Sequence, residues 1–146
     1  MPPGLSAASP CALATSMPTG SHLSPTGQTI RQQVVQLDEG SRRDKAWLGD
    51  AVLSLFARQW LLGPPQDWQV PSPPSCDLNR AELFTWLTSN QFLSAFRDPT
   101  QVEAEIGLVY EKEGLQAAFE YIQAHLLPLF VRQVNNRAKA LRGKRH

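Results

Sequence analysis

Two short segments, far apart in sequence, each place a carboxylate close to a glycine. Residues 47–53 contain Gly49 and Asp50, and residues 102–107 contain Glu103 and Gly107. Both segments have the apolar spacing of a buried helix. Glycine allows two helix backbones to approach closely, and carboxylate oxygens are ligands that Mg²⁺ prefers. The pattern therefore predicts two crossing helices that direct Asp50 and Glu103 at one divalent metal ion.

Each of these residues also has a simpler interpretation. Glu103 falls in the first turns of its helix, where the helix dipole stabilises any negative charge by about 0.3–1 kcal/mol. Asp50 lies mid-helix on a face of small residues, where an acid is costly to desolvate without water or metal. Gly107 could be a tolerated helix glycine. Further ligands would come from other residues only if the fold brings them near. Glu105 is expected to point elsewhere, because two residues are a rotation of about 200°. The candidate further ligands are Asp77, Asp98, Thr100 and Glu105.

The elements that position these acids are helices, since the sequence has no strand-like alternation of useful length. A short helix is expected over residues 29–37, and residues 38–41 read as a turn. The long helix that carries Asp50 is expected to be capped by Ser41 or Asp44 and to end at Gly63, before two prolines. After a proline-rich loop over residues 63–76, a helix capped by Ser75 or Asp77 is expected to run to about Thr88, followed by a short apolar turn over residues 90–96.

The helix that carries Glu103 has a strong predicted start. Asp98 can be its N-cap, Pro99 its first residue, and Gln101 can complete a capping box. Gly114 is expected to end it. A last core helix is expected between residue 115 and Pro128. The inner stripe of the Glu103 helix is expected to be Val102, Ile106, Val109 and Tyr110, and Trp47, Trp60 and Trp86 are expected in the core or a dimer interface. The fold class predicted is therefore all-α.

Composition is that of one ordinary globular domain. The chain has 146 residues, 42% apolar and 18% charged, and only two cysteines, Cys11 and Cys76. Neither a zinc site nor a disulfide framework is indicated, so a reducing, cytoplasmic setting is expected. No apolar stretch approaches the roughly 18–20 residues of a membrane span. No phosphate-binding glycine loop for a nucleotide cofactor, Ser-His-Asp set or Cys-His set occurs.

Charge divides the chain into parts. Residues 1–27 are predicted to be a disordered arm rich in Pro, Ser and Thr, with a signal or transit peptide as the weaker alternative. Residues 28–131 are predicted to be the helical domain. Residues 132–146 hold six bases and no acid, which leaves a net charge of −5 over residues 1–131. This basic tail suits a polyanion such as RNA, and a solubilising terminus is the alternative. Its candidate RNA contacts are Arg137, Lys139, Arg142, Lys144 and Arg145.

Three ordered motifs resemble the ribonuclease III domain. Residues 46–53, Ala-Trp-Leu-Gly-Asp-Ala-Val-Leu, resemble the first motif E-F-L-G-D-A-V-L. Residues 100–114 resemble the second, D-x-x-E-A-L-I-G-x-x-Y-x-x-x-G, and residues 87–93 resemble the helix junction L-V-S-N-x-x-L. The resemblance covers residues 44–130. The short, single-domain Mini-III branch is similar in length and also lacks a separate double-stranded-RNA-binding domain.

This resemblance implies an all-α domain that forms a homodimer through the first-motif helix. It also implies metal-dependent hydrolysis of phosphodiester bonds in double-stranded or structured RNA, plausibly in ribosomal RNA processing. By position, Asp50 and Glu103 match acids that bind Mg²⁺ or Mn²⁺ and serve catalysis, where the metal activates water and stabilises charge on the phosphate.

The chain departs from the motifs at two acidic positions. Ala46 replaces the first-motif glutamate and Thr100 the second-motif aspartate, and the stretch before the second motif is short. Two carboxylates, water and substrate phosphate can still hold one Mg²⁺. The sequence therefore leaves two hypotheses: an endoribonuclease, or a catalytically inactive ribonuclease III-like dimer that binds RNA or the ribosome. A helical protein-interaction module with accidental motif similarity is the third.

Overall fold

The computed structural model describes residues 28–144, and every regular element in that range is a helix. The all-α prediction is confirmed at that level. The arm expected over residues 1–27, which includes Cys11, lies outside the described residues, as does Arg145. The helices are α1 (Ile30–Val35), α2 (Glu39–Leu62), α3 (Arg80–Leu87), α4 (Asn90–Leu93), α5 (Pro99–Glu113), α6 (Leu115–His125) and α7 (Leu127–Lys144).

The N-cap of helix α2 lies three residues before Ser41, the nearer of its two predicted caps. Asp38 is the N-cap, and its carboxylate accepts a 2.8 Å hydrogen bond from the backbone N–H of Ser41. The turn expected over residues 38–41 is therefore the first turn of the helix, and Ser41 and Asp44 lie inside it. The predicted end at Gly63 is confirmed: this residue has φ 131°, a conformation that favours glycine.

Helix α3 also starts from a different cap than predicted. Asn79, not Ser75 or Asp77, accepts from the backbone N–H of Glu82, and the Glu82 side chain accepts from the N–H of Asn79 in return. This reciprocal capping box satisfies two backbone donors that the helix itself leaves unpaired. The proline-rich loop therefore extends to Asn79.

Helix α5 begins and ends where the sequence predicts. Asp98 is its N-cap and accepts a 3.1 Å hydrogen bond from the N–H of Gln101, Pro99 is its first residue, and Gly114 follows its last residue with φ 98°. The side chain of Gln101 does not complete a capping box. It donates instead to Glu105 at 2.8 Å and to the carbonyl of Arg31 at 3.3 Å. Tyr110, expected on the inner stripe, is 38% exposed.

Helices α2 and α5 cross with their backbones in contact. A Cβ atom added to Gly49 would lie 1.7 Å from the carbonyl oxygen of Glu103, and one added to Gly107 would lie 1.9 Å from the carbonyl oxygen of Lys45. Only glycine permits this approach, because real side chains never come so close to a backbone oxygen. The predicted close crossing of the two acid-bearing helices is confirmed.

Helix α7 packs its first half into the core. Phe130 is fully buried and contacts the rings of Trp60, Trp86 and Phe92, with centroid separations of 6.0, 5.3 and 5.4 Å. Val134, one turn later, is also fully buried. The boundary expected at residue 131 thus lies inside a continuous helix, and the basic residues 132–144 extend from a core element. No helix among residues 28–144 is long and apolar enough to span a membrane.

Candidate metal centre

The crossing of α2 and α5 brings Asp50 and Glu103 to the same open pocket. The pocket is lined by Asp50 with Arg43, Ala46 and Trp47 from α2, and by Glu103 with Thr100 from α5. Asp50 directly follows the crossing glycine Gly49, and Glu103 lies four residues before the crossing glycine Gly107. The spacing of the two acids is therefore set by the approach of the two backbones, and the predicted pairing of Asp50 with Glu103 is found in the structure.

The two acids differ in exposure. Asp50 is exposed to solvent, whereas Glu103 is half-buried. Burial, followed by the charge of Asp50, a side-chain hydrogen bond with Asp50 and the charge of Asp98, raises the pKa of Glu103 to about 7. If the helix dipole were the main influence on an acid at a helix N-terminus, it would stabilise the negative charge and lower the pKa. Glu103 instead belongs to a close, repulsive pair of carboxyl groups.

This pair has the chemistry that a divalent cation requires. Two carboxyl groups that line the same open pocket offer hard oxygen ligands, and a divalent charge would offset their repulsion. Thr100 adds a hydroxyl to the same lining. Among residues 28–144, no group of three or more His, Cys, Asp or Glu side chains could hold a metal. Asp50 and Glu103 would therefore hold an ion together with water and substrate oxygens.

The other acidic candidate ligands, Asp98, Glu105 and Asp77, each have a different role in the structure. Asp98 is the N-cap of α5, and its charge reaches Glu103. Glu105 is fully buried and bound to Arg97, and Asp77 forms a 3.0 Å ion pair with Arg137. The expectation that Glu105 points away from the pair is therefore correct. Neither Glu105 nor Asp77 is available as a further ligand at this pocket.

The basic residues expected to bind RNA do not share one face of α7. Arg137 and Lys139 are separated by about 200° around the helix axis, as are Arg142 and Lys144. Arg137 and Lys144 thus lie near one face, and Lys139 and Arg142 near another. The Arg137 guanidinium pairs with Asp77, and this hydrogen bond and charge raise its pKa. Lys139, Arg142 and Lys144 are exposed.

Trp47 does not lie in the core, one of the two places expected for it. It is 80% exposed and lines the pocket of the acid pair, and its place in a dimer interface stays a prediction. Trp60 and Trp86, for which the same expectation was made, are in the core or at its edge: Trp60 is fully buried, and half-buried Trp86 packs on Phe130. A distinguishing signal was present, since Trp47 directly follows Ala46 and lies three residues before Asp50, on the side of α2 that bears the charge.

The raised pKa of Glu103 predicts how stability depends on pH in the absence of metal. The folded pKa of about 7 exceeds the ordinary value of 4.5, so the folded state holds this proton more tightly than the unfolded state. The contribution of Glu103 to stability is then greatest below pH 4.5, falls as the pH rises from 4.5 to 7, and is lost above 7. Urea denaturation in EDTA across this range should show the fall.

Asp50→Asn is expected to reduce the loss of stability between pH 4.5 and 7. The substitution removes the neighbouring charge and leaves burial and the charge of Asp98 to raise the pKa of Glu103. At pH 8 in EDTA the variant should be more stable than the wild type. Equal stability of the two proteins at pH 8 would contradict the close approach of Asp50 and Glu103.

Comparison with family models, with curated proteins and with solved structures finds no match to this chain. The likeness to the ribonuclease III domain thus rests on the three motifs alone.

Proposed function

We propose that this protein is a divalent-metal-dependent endoribonuclease of the ribonuclease III type, acting on double-stranded or structured RNA. The observation that carries the proposal is the paired carboxyl groups of Asp50 and Glu103 at a glycine–glycine helix crossing. Such a pair is destabilising without a cation and is suited to binding one. The order and spacing of the motifs support the choice of RNA as the substrate.

The residues of the pocket have distinct proposed roles. Asp50 and Glu103 hold Mg²⁺ or Mn²⁺, and the bound ion supplies stabilisation of the charge that develops on a phosphate during hydrolysis. Arg43 lies on the same lining and pairs at 3.1 Å with Glu39, in a bridge whose two side chains are both exposed. Because exposed bridges contribute little energy, Arg43 can exchange this partner for an RNA phosphate. Lys139, Arg142 and Lys144 add exposed positive charge for the RNA backbone.

The first test is cleavage by the purified full-length chain. A structured, end-labelled RNA duplex incubated with Mg²⁺ should give discrete products, and EDTA should abolish them. A single strand of the same sequence is the matched substrate control and should be cut far more slowly. Equal cleavage of duplex and single strand, or cleavage in EDTA, would contradict this proposal.

The proposal includes a homodimer formed through α2. Leu48, Leu55 and Leu62 recur every seven residues along this helix and are 36%, 43% and 66% exposed, and Trp47 lies beside them. Apolar residues at this spacing form one stripe, and exposed apolar patches mark interaction surfaces. Sedimentation equilibrium of the full chain should give about twice the monomer mass of 16.2 kDa. A monomer at micromolar concentration would contradict this part of the proposal.

A second function is favoured by two other residues of the same pocket. Ala46 and Thr100 line it at the positions where the ribonuclease III motifs carry acids. A domain with these substitutions could bind RNA or the ribosome in the cytoplasm without cleaving it. In that case the wild-type chain should bind duplex RNA and show no metal-dependent cleavage.

Placing acids at positions 46 and 100 tests whether these two positions face the proposed metal ion. The double variant Ala46→Glu and Thr100→Asp should bind Mg²⁺ at least about tenfold more tightly, because ligand charge raises affinity for a hard cation. Calorimetric titration with Mg²⁺ measures the change. Ala46→Gln with Thr100→Asn is the matched control, similar in size but uncharged. Equal affinity in the two double variants would show that positions 46 and 100 do not face the metal.

A further inference from the structure

A buried polar cluster is centred on Glu105 of α5, two residues after Glu103 in the chain, and the proposed chemistry does not use it. Glu105 is 0% exposed, and its carboxylate accepts four hydrogen bonds. Two come from Arg97, from Nε at 2.9 Å and from a terminal nitrogen at 2.7 Å. The others come from the side-chain amide of Gln101 and the hydroxyl of Tyr121, both at 2.8 Å. We call Glu105, Arg97, Gln101 and Tyr121 the Glu105 cluster.

The cluster is not what stability alone would select. A buried ion pair gains little over well-packed apolar side chains of similar volume, because both charges must be desolvated. The ribonuclease III motif has a leucine at the position of Glu105, so an apolar residue suits this site in the resembling family. What a bidentate guanidinium–carboxylate pair provides is a fixed distance and orientation. The cluster is therefore better explained by a need to hold this part of the chain in one fixed geometry.

The parts of the molecule that the cluster joins are those that set the position of Glu103. Arg97 directly precedes Asp98, the N-cap of α5, and Tyr121 belongs to α6. Gln101 also donates to the carbonyl of Arg31 in α1 at 3.3 Å. Glu103 lies in the chain midway between Gln101 and Glu105. One face of the first two turns of α5, which carries Gln101 and Glu105, is thus tied to three other segments. Thr100 and Glu103 lie on the opposite side, toward α2.

We infer that the Glu105 cluster is a positioning device that fixes the first turns of α5 so that Glu103 and Thr100 face Asp50 at the metal pocket. None of its residues lines the metal pocket. Arg97 and Glu105 act by fixing the backbone of α5. The hydroxyl of Tyr121 fixes the orientation of the Glu105 carboxylate. This inference rests on the proposed function, since it assigns the cluster to that pocket.

The test uses the full-length chain and three variants. The double variant Arg97→Met and Glu105→Leu removes both charges and leaves no buried charge unpaired, so it should fold with a urea midpoint near that of the wild type. Glu105→Gln keeps the acceptor for Tyr121 and is the conservative variant. Glu120→Gln, on α6 and outside the cluster, is the control. Mg²⁺ affinity is measured by calorimetry, and cleavage of duplex RNA is measured at saturating Mg²⁺.

The expected result is a loss of function without a loss of fold. The double variant should bind Mg²⁺ about 10- to 100-fold more weakly, the range found when residues that orient metal ligands are replaced. Its kcat should fall while its KM for duplex RNA stays unchanged, since RNA contacts lie elsewhere. Glu105→Gln should recover most of the Mg²⁺ affinity, and Glu120→Gln should match the wild type.

Two outcomes overturn the inference, and they are distinguishable. If the folded double variant binds Mg²⁺ as tightly as the wild type, the cluster is only structural and the proposed function stands. If the wild-type chain itself binds no Mg²⁺, the proposed function falls and the inference falls with it. Should the double variant not fold, Tyr121→Phe takes its place. This substitution removes one donor to Glu105 and keeps the ring, and it should weaken Mg²⁺ binding in the same direction; unchanged affinity overturns the inference.

Discussion

Gly49→Ala should unfold the domain or leave it barely stable. The added methyl group would lie 1.7 Å from the carbonyl oxygen of Glu103 and 2.9 Å from the backbone nitrogen of Gly107. Both neighbours are backbone atoms of a buried helix, so they cannot turn aside as the tip of a side chain could. Relief requires α2 and α5 to separate along their whole contact. We therefore expect a loss of about 3 kcal/mol or more, at or beyond the upper end for ordinary overpacking, measured by urea denaturation.

A second glycine gives a matched control for this substitution. Gly143 lies in the last turn of α7, and a Cβ added there meets nothing within 4 Å. Gly143→Ala should leave stability unchanged or raise it by up to about 1 kcal/mol, because alanine is the better helix former. Gly107→Ala should behave like Gly49→Ala, since its methyl group would lie 1.9 Å from the carbonyl oxygen of Lys45. A Gly49→Ala protein as stable as the Gly143→Ala protein would disprove the close crossing.

Asp50→Asn and Glu103→Gln should each abolish most of the proposed cleavage of duplex RNA. Each substitution is nearly isosteric and removes one of the two carboxylates that would hold the metal. We expect kcat/KM to fall about 100- to 1,000-fold, the magnitude found when one preorganised electrostatic group is removed from an active site. The measurement is the initial rate of duplex cleavage at fixed Mg²⁺. Stabilisation of the protein by Mg²⁺ should be lost together with activity.

The loss should not come from unfolding. Removing either acid relieves the repulsion that raises the pKa of Glu103, so both variants should be at least as stable as the wild type in EDTA at pH 8. Asp44→Asn is the matched control, since Asp44 is an exposed acid of α2 that does not line the pocket. It should retain wild-type activity. Full activity in Asp50→Asn would overturn the nuclease proposal.

Local signals predicted the parts of the fold that depend on one helix at a time. Asp98, Pro99 and Gly114 mark the ends of α5 because each residue type suits only a few backbone conformations. The predicted caps of α2 and α3 were wrong, because the residue types near these helix starts do not single out one cap. Several Ser, Asp and Asn residues lie within a few positions of each start, and the cap among them depends on backbone angles that packing selects.

The candidate site was predictable where helix geometry decides it. A glycine near an acid in each of two helical segments indicated the crossing. Rotation along α5 indicated that Glu105 points away from Glu103. The partners of Glu105 were not predictable, because Tyr121 reaches it from another helix and Arg97 from a turn outside α5. Helical periodicity also cannot distinguish a tryptophan in the core from one on the surface. Trp47 and Trp60 both belong to apolar stretches, yet one is 80% exposed and the other 0%.

The course of α7 joins two properties that the sequence suggested were separate. The helix that carries the terminal bases is the same one that inserts Phe130 and Val134 into the aromatic core. Residues 135–144, which follow Val134, are exposed or half-buried, so the terminal bases add charge and not core packing. Because these bases continue the helix that Phe130 and Val134 anchor, the packing of the core sets the direction in which they project from the domain.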